Sequence, residues 1–88
     1  MRIRFDPAKN ESNRRKHGLE LAEARWIEWD TVIASVDIRQ DYGEPRMIGL
    51  GYLGARLVCV VFTDRGAERR IISLRKANSR EIRRYAET

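Results

Sequence analysis

Eighty-eight residues, 42% hydrophobic and 35% charged, can enclose only one small core, so a single domain over 1–88 is expected. One cysteine and one histidine cannot build a tetrahedral metal site or an intrachain disulfide, so neither metal nor cofactor is expected. No apolar run nears the roughly 18 residues of a membrane span, and Met1 leads into Arg-Ile-Arg-Phe, so no signal peptide is expected. Cys59 lies inside an apolar run, and a buried thiol suits a cytoplasmic location.

The formal charge is +5, and it is unevenly placed. Residues 1–44 hold 8 Lys/Arg and 9 Asp/Glu, whereas residues 45–88 hold 10 and 4. Fifteen of the 18 cations are Arg, whose planar fork matches phosphate as Lys does not. Such a half fits a polyanionic partner, either nucleic acid or an acidic protein segment; it fits a merely solvated surface as well.

Residues 2–5 read as a short strand. Asp6 and Pro7 then give an N-cap and a first helical residue, and Gly18 marks the stop after His17. This helix has almost no apolar stripe, so core burial alone does not hold it. Lys9, Asn13, Lys16 and His17 share one of its faces. A second helix is predicted over 19–29, with Leu19, Ala22, Trp26 and Trp29 packed on a sheet. Residues 31–38 read as a strand and 39–45 as a turn-rich loop. Strands follow at 47–53, 55–63 and 68–76, joined by tight turns. Gly49 and Gly51 signal close backbone approach. Asn78 and Glu81 form the ends of a capping box that opens a final helix, with Ile82, Tyr85 and Ala86 on one face. The expected fold class is α+β: a curved antiparallel sheet of about four strands with N-terminal helices and a C-terminal helix.

Strand 68–76 raises the functional question. Strict alternation puts Arg70, Ile72, Leu74 and Lys76 on one face and Arg69, Ile71, Ser73 and Arg75 on the other. Arg75 beside an apolar strand either pairs with a carboxylate such as Glu44 or Glu81, or lines a wet groove that takes phosphate. RNA carries its own nucleophile, the 2′-hydroxyl. Cleavage then needs a base, an acid and cations to hold the charged phosphorane, but no metal. His17 is the one side chain whose ordinary pKa suits that work, with Lys16, Arg46 and Arg75 as the electrostatic part. A histidine in a last helical turn is also favoured there by the helix dipole alone.

The stretches NRRKHGLELAEA (13–24), DYGEPRMIGLGYLGARLVCVVFTDRG (41–66) and RRIISLRKANSREIRRYAE (69–87) resemble the N-terminal, central and C-terminal blocks of the BrnT toxin family. The resemblance spans nearly the whole chain. It implies a RelE-like fold, with helices against one face of the sheet, and an endoribonuclease toxin of a type II toxin–antitoxin system. It implies a BrnA-like ribbon-helix-helix antitoxin as partner, a heterotetramer with it, and operator DNA bound only through the antitoxin. The family pattern falls on Asn13, Lys16, His17, Gly18, Glu44, Arg46, Gly51, Arg70, Ser73, Arg75, Glu81 and Tyr85. Leu21 and Leu74 depart from it, where the family often has Phe and Ala.

The candidate catalytic set is His17, Lys16, Arg46, Arg75, Ser73 and Tyr85, and the candidate RNA contacts are Lys9, Asn13, Arg70 and Lys76. The competing reading is a non-catalytic basic module that binds RNA or protein. Against a single-strand binder stands the lack of interleaved exposed aromatics.

Overall fold

A computed structural model describes all 88 residues. In chain order it contains β1 (Arg2–Arg4), α1 (Pro7–His17), two 3-10 helices (Leu21–Trp26 and Trp29–Thr31), β2 (Ile33–Val36), β3 (Met47–Leu53), β4 (Arg56–Arg65), β5 (Glu68–Lys76) and α2 (Ser79–Ala86). The strands form one sheet in the order β1-β5-β4-β3-β2. Strands β2 to β5 make an antiparallel meander, with short turns between β3, β4 and β5 and a longer loop between β2 and β3. The expected four antiparallel strands become five in a mixed sheet, because β1 joins the outer edge of β5 in parallel. That pairing is remote in sequence and no turn signal announces it.

Helix α1 begins as its sequence dictates. The Asp6 carboxylate accepts the Ala8 N–H at 2.8 Å, Pro7 opens the helix, and Gly18 closes it at a φ of 73°. Its only buried side chain is Asn13. One amide, rather than an apolar stripe, therefore ties the helix to the sheet.

The segment after α1 departs from the expected α-helix. It is a 3-10 helix, and its buried residues Leu21 and Ala24, with Ile27 just past its end, recur every third position, the period of that helix. The Ile27 N–H donates to Ala24 O, and Ile27 then bridges to Leu53 at the end of β3. The chain thus leaves the helix to enter sheet register. Trp26, expected to pack inward, is instead 70% exposed. Trp29 does turn inward, edge-on to Phe62 at 5.3 Å, with its indole N–H on Ala24 O.

Leu19, Leu21, Ala24 and Ile27 cover Val58, Val60, Phe62, Ile71 and Leu74 on one face of the sheet. Helix α2 lies on the other face, so the helices do not all share one side. Its Tyr85 ring meets Tyr52 of β3 edge-on at 5.5 Å, and the Tyr85 hydroxyl donates to Thr31 O. Ile82 of the same helix stays half-exposed, so α2 buries only part of its apolar side.

Strand β5 does not alternate strictly. Val61 pairs with Ser73, but the next residue of β4, Phe62, pairs with Ile71, which leaves Ile72 as an extra residue. The predicted faces are corrected accordingly. Ile71 and Leu74 both enter the core, and Arg69 shares their side, stacked over Phe62 and Trp29. Arg70, opposite Thr63, falls on the same open face as Ser73, opposite Val61, and Arg75, opposite Cys59.

Candidate active site

The bulge brings candidate residues of β5 to one face. Without the extra residue, Arg70 would point to the opposite face from Ser73 and Arg75. With it, three of the predicted site residues line one strand of the open face, bordered by α2 and by the start of β3.

Arg75 takes the pairing that its residue type allowed. Its Nη1 and Nη2 donate end-on to the two oxygens of Glu81 at 2.8 and 2.9 Å. Nη1 also donates to Lys76 O at 3.2 Å. Glu81 in turn accepts the Asn78 N–H and so closes the capping box of α2. The hydrogen bond from Arg75 holds the Glu81 carboxyl at a pKa of about 2, and Glu81 raises that of Arg75. A guanidinium has five N–H donors. The Nε–H and one Nη2–H remain, and together they form the side edge of the fork. Arg75 is thus fixed in place with a bidentate edge still open, and 37% of its side chain is exposed.

Arg70 has no carboxylate within ion-pair distance, in contrast with its neighbours Arg69 and Arg65, which are clamped by Asp64 and Glu44. Glu44, the other partner considered for Arg75, is therefore committed elsewhere, and the Arg65 hydrogen bond lowers its pKa. Arg46 lies just before β3, its guanidinium 4.0 Å above the Tyr42 ring, with a buried Nε that has no hydrogen-bond partner. Tyr42 is itself set by Asp37, which also accepts two bonds from the Arg39 side chain.

A second cluster adjoins this face at the edge of β5. Lys9, Ser12, Lys16 and His17 of α1 and Ile72 and Ser73 of β5 enclose a shallow depression of about 160 Å³. Lys16 and His17 are exposed. Ser73 belongs to both clusters. Asn13 lies between α1 and β5 but is buried, and its amide is used up. Nδ2 donates to Leu19 O and Leu74 O, both at 2.7 Å, and Oδ1 accepts the Leu74 N–H.

Lys9, Lys16, His17, Ser73, Arg70 and Arg75 therefore lie around one stretch of β5, and Arg46 lies across the sheet from it. Tyr85 is elsewhere, occupied by Thr31 and Tyr52. Lys76 points to the face away from Arg75 by strand alternation. Ser12 was not anticipated, although it stands one turn before Lys16 on the same helix face. The role of Ile72 as a bulge had no signal in the sequence. No group of His, Cys, Asp and Glu side chains is placed to hold a metal.

A small α+β domain with a basic, bulged open face fits an RNA-directed protein. The family model described as the ribonuclease toxin BrnT of type II toxin–antitoxin systems matches residues 5–81. The chain belongs to this BrnT family. Among solved structures it is similar to the crystal structure of the Brucella abortus ribonuclease toxin BrnT, with a TM-score of 0.67 and 26% identity over 90% of this chain and 99% of that one. No curated protein sequence matches it significantly. Membership makes the chain a toxin whose system includes an antitoxin. No helix is long and apolar enough to cross a membrane.

Proposed function

We propose that this single-domain toxin is a metal-independent endoribonuclease acting on RNA in the cytoplasm, with its site on the open face beside β5. The observation that carries this is the fixed Arg75. Glu81 holds it end-on, which leaves Nε and Nη2 to grip a phosphate side-on. Arg70 on the same face adds an unpaired cation, and Arg46 and Lys16 extend the positive field.

In the reaction the 2′-oxygen attacks the adjacent phosphorus as its proton passes to His17. The 2′-O–P bond forms and the P–O5′ bond breaks, which gives a cyclic phosphate and a free 5′-hydroxyl once the leaving oxygen is protonated. Arg75 and Arg70 stabilise the charge that builds on the phosphorane oxygens. Ser73, between the arginines and the depression, orients the sugar–phosphate. Asn13 acts by holding α1 against β5, rather than by touching RNA. Tyr85 holds α2 against the sheet, and through α2 keeps Glu81 on Arg75. Lys9 and Lys76 contribute to RNA binding as outlying charges.

The partner proposed for neutralisation is a BrnA-like ribbon-helix-helix antitoxin in a heterotetramer, with operator DNA bound through the antitoxin alone. The test of catalysis is RNA cleavage in EDTA by wild type, Arg70→Ala and His17→Ala. Scission by wild type that both substitutions abolish supports the reading. Intact RNA with folded wild type returns the chain to the non-catalytic basic module.

A further inference from the structure

Strand β2 ends the sheet, and nothing covers its outer side. All four of its residues are exposed, and Ile33 and Val36 are 40% and 55% accessible, with Ile38 just beyond at 88%. Natural edge strands are normally guarded by charged side chains, proline or a bulge. Ile33-Ala34-Ser35-Val36 has none of these. Its backbone is a free template for one more strand.

Beside that edge, the open face forms a cavity of about 240 Å³ lined by Ile33, Ser35, Ile48 and Leu50, with Glu81 and Arg84 of α2 as its wall. The floor is apolar and the wall is cationic. Glu81 is neutralised by Arg75, while Arg84 has no carboxylate partner. Arg39, past the other end of β2, is paired with Asp37 and adds no free charge. The charge left unpaired in that wall is thus positive, and a carboxylate on an incoming strand complements it.

We propose that β2 receives an extended acidic segment of the antitoxin as a sixth strand. An apolar side chain of that segment fills the cavity over Ile48 and Leu50, and a neighbouring carboxylate meets Arg84. The inference rests on the toxin–antitoxin reading but not on catalysis. The segment would lie along the side of the sheet away from β5, and its cavity meets the phosphate site only at Glu81, whose carboxylate Arg75 holds.

The experiment compares the free chain with its complex with the antitoxin co-expressed from its own operon. Amide hydrogen exchange at 33–36 is expected to slow at least about tenfold in the complex. Ile33→Glu and Arg84→Ala are each expected to weaken antitoxin binding at least about tenfold while RNA cleavage stays at the wild-type rate. Unchanged exchange at 33–36 with wild-type affinity in both variants overturns the proposal. So does a free chain already dimeric and protected there, since the edge would then take a second copy. Failure to bind any antitoxin overturns it too. A chain that shows the protection but never cleaves RNA keeps this surface and sinks the ribonuclease reading instead.

Discussion

The Asn13 side chain pairs with the Leu74 backbone as a strand would: Oδ1 accepts the Leu74 N–H at 3.1 Å and Nδ2 donates to the Leu74 carbonyl at 2.7 Å. Strand β1 covers β5 only as far as Arg70, so the remaining edge needs another partner. Asn13 supplies it, and in doing so fixes Lys16 and His17 beside Ser73. Asn13→Ala leaves buried backbone groups of Leu74 and Leu19 unpaired and is expected to cost about 2–4 kcal/mol. Asn13→Asp keeps the acceptor but sets a carboxylate against two carbonyls, and should be at least as damaging. Urea unfolding of the two variants checks this. A residue that merely touched RNA would leave the unfolding midpoint in place.

Arg70 and Arg75 separate in a different way. Arg70 has no ion-pair partner, so Arg70→Ala should leave stability within about 0.5 kcal/mol of wild type. RNA cleavage should drop about a hundredfold, and the salt dependence of binding should flatten by about one unit. Arg75→Ala is expected to lose both activity and stability, because it strands the Glu81 carboxylate against α2. Arg75→Lys keeps the charge but loses the fork, and its activity should remain close to that of Arg75→Ala. Wild-type cleavage in both Arg75 variants would remove this residue from the site.

His17 is exposed in the last turn of α1 and supports no buried contact. His17→Ala should therefore fold as wild type does while cleavage falls about 10²–10⁴-fold. Single-turnover cleavage alongside thermal melting measures both. Retained activity would leave His17 as no more than a favourable charge at the helix end.

Local chemistry was legible in the sequence. Asp6-Pro7, Gly18 and the Asn78–Glu81 box place the helix ends because each cap is a contact between near neighbours. The meander of β3, β4 and β5 was equally legible, since tight turns join these strands. Three features were not. The parallel docking of β1 depends on an edge left free far along the chain. The 3-10 geometry of Leu21–Trp26 follows from the Ile27 bridge to Leu53, so Trp26 falls outside where α-helical spacing put it inside. The bulge at Ile72 is set by how β5 pairs with Val61 and Phe62, and no residue in RRIISLRKA marks it. The residues of the proposed site stand out in the sequence singly, but their common face does not. Period-two reading separated Arg70 from Arg75, and the structure joins them.

Gly51 offers a test of the frame beneath this face. A methyl group there would come within 2.6 Å of a Val32 methyl, with Ile27 at 3.3 Å. The close approach lets the segment before β2 pack down on β3. Gly51→Ala is expected to cost about 1–3 kcal/mol. Val32→Ala in the same chain should recover much of that loss, although alone it leaves a void. A double-mutant cycle in urea measures the coupling. Additive effects would mean that Val32 does not set the spacing.

Glu81 gives the pH dependence a definite sign. Its carboxyl has an ordinary pKa of 4.5 and titrates at about 2 in the folded chain, chiefly because Arg75 hydrogen-bonds to it. Between these values the unfolded chain binds the proton first, so acid favours unfolding. The stabilisation is complete above about pH 4.5 and is lost as pH falls towards 2. Glu81→Gln removes the titration and loosens Arg75. Wild type should exceed this variant in stability at neutral pH, and the gap should close across that acid window. Cleavage at neutral pH should fall with it, because Arg75 no longer holds its open edge in one place. Urea midpoints from pH 6 down to about 2.5, for both chains, decide the matter. A gap that stays constant through the window would mean that the Glu81 charge contributes nothing to holding Arg75 and α2 in place.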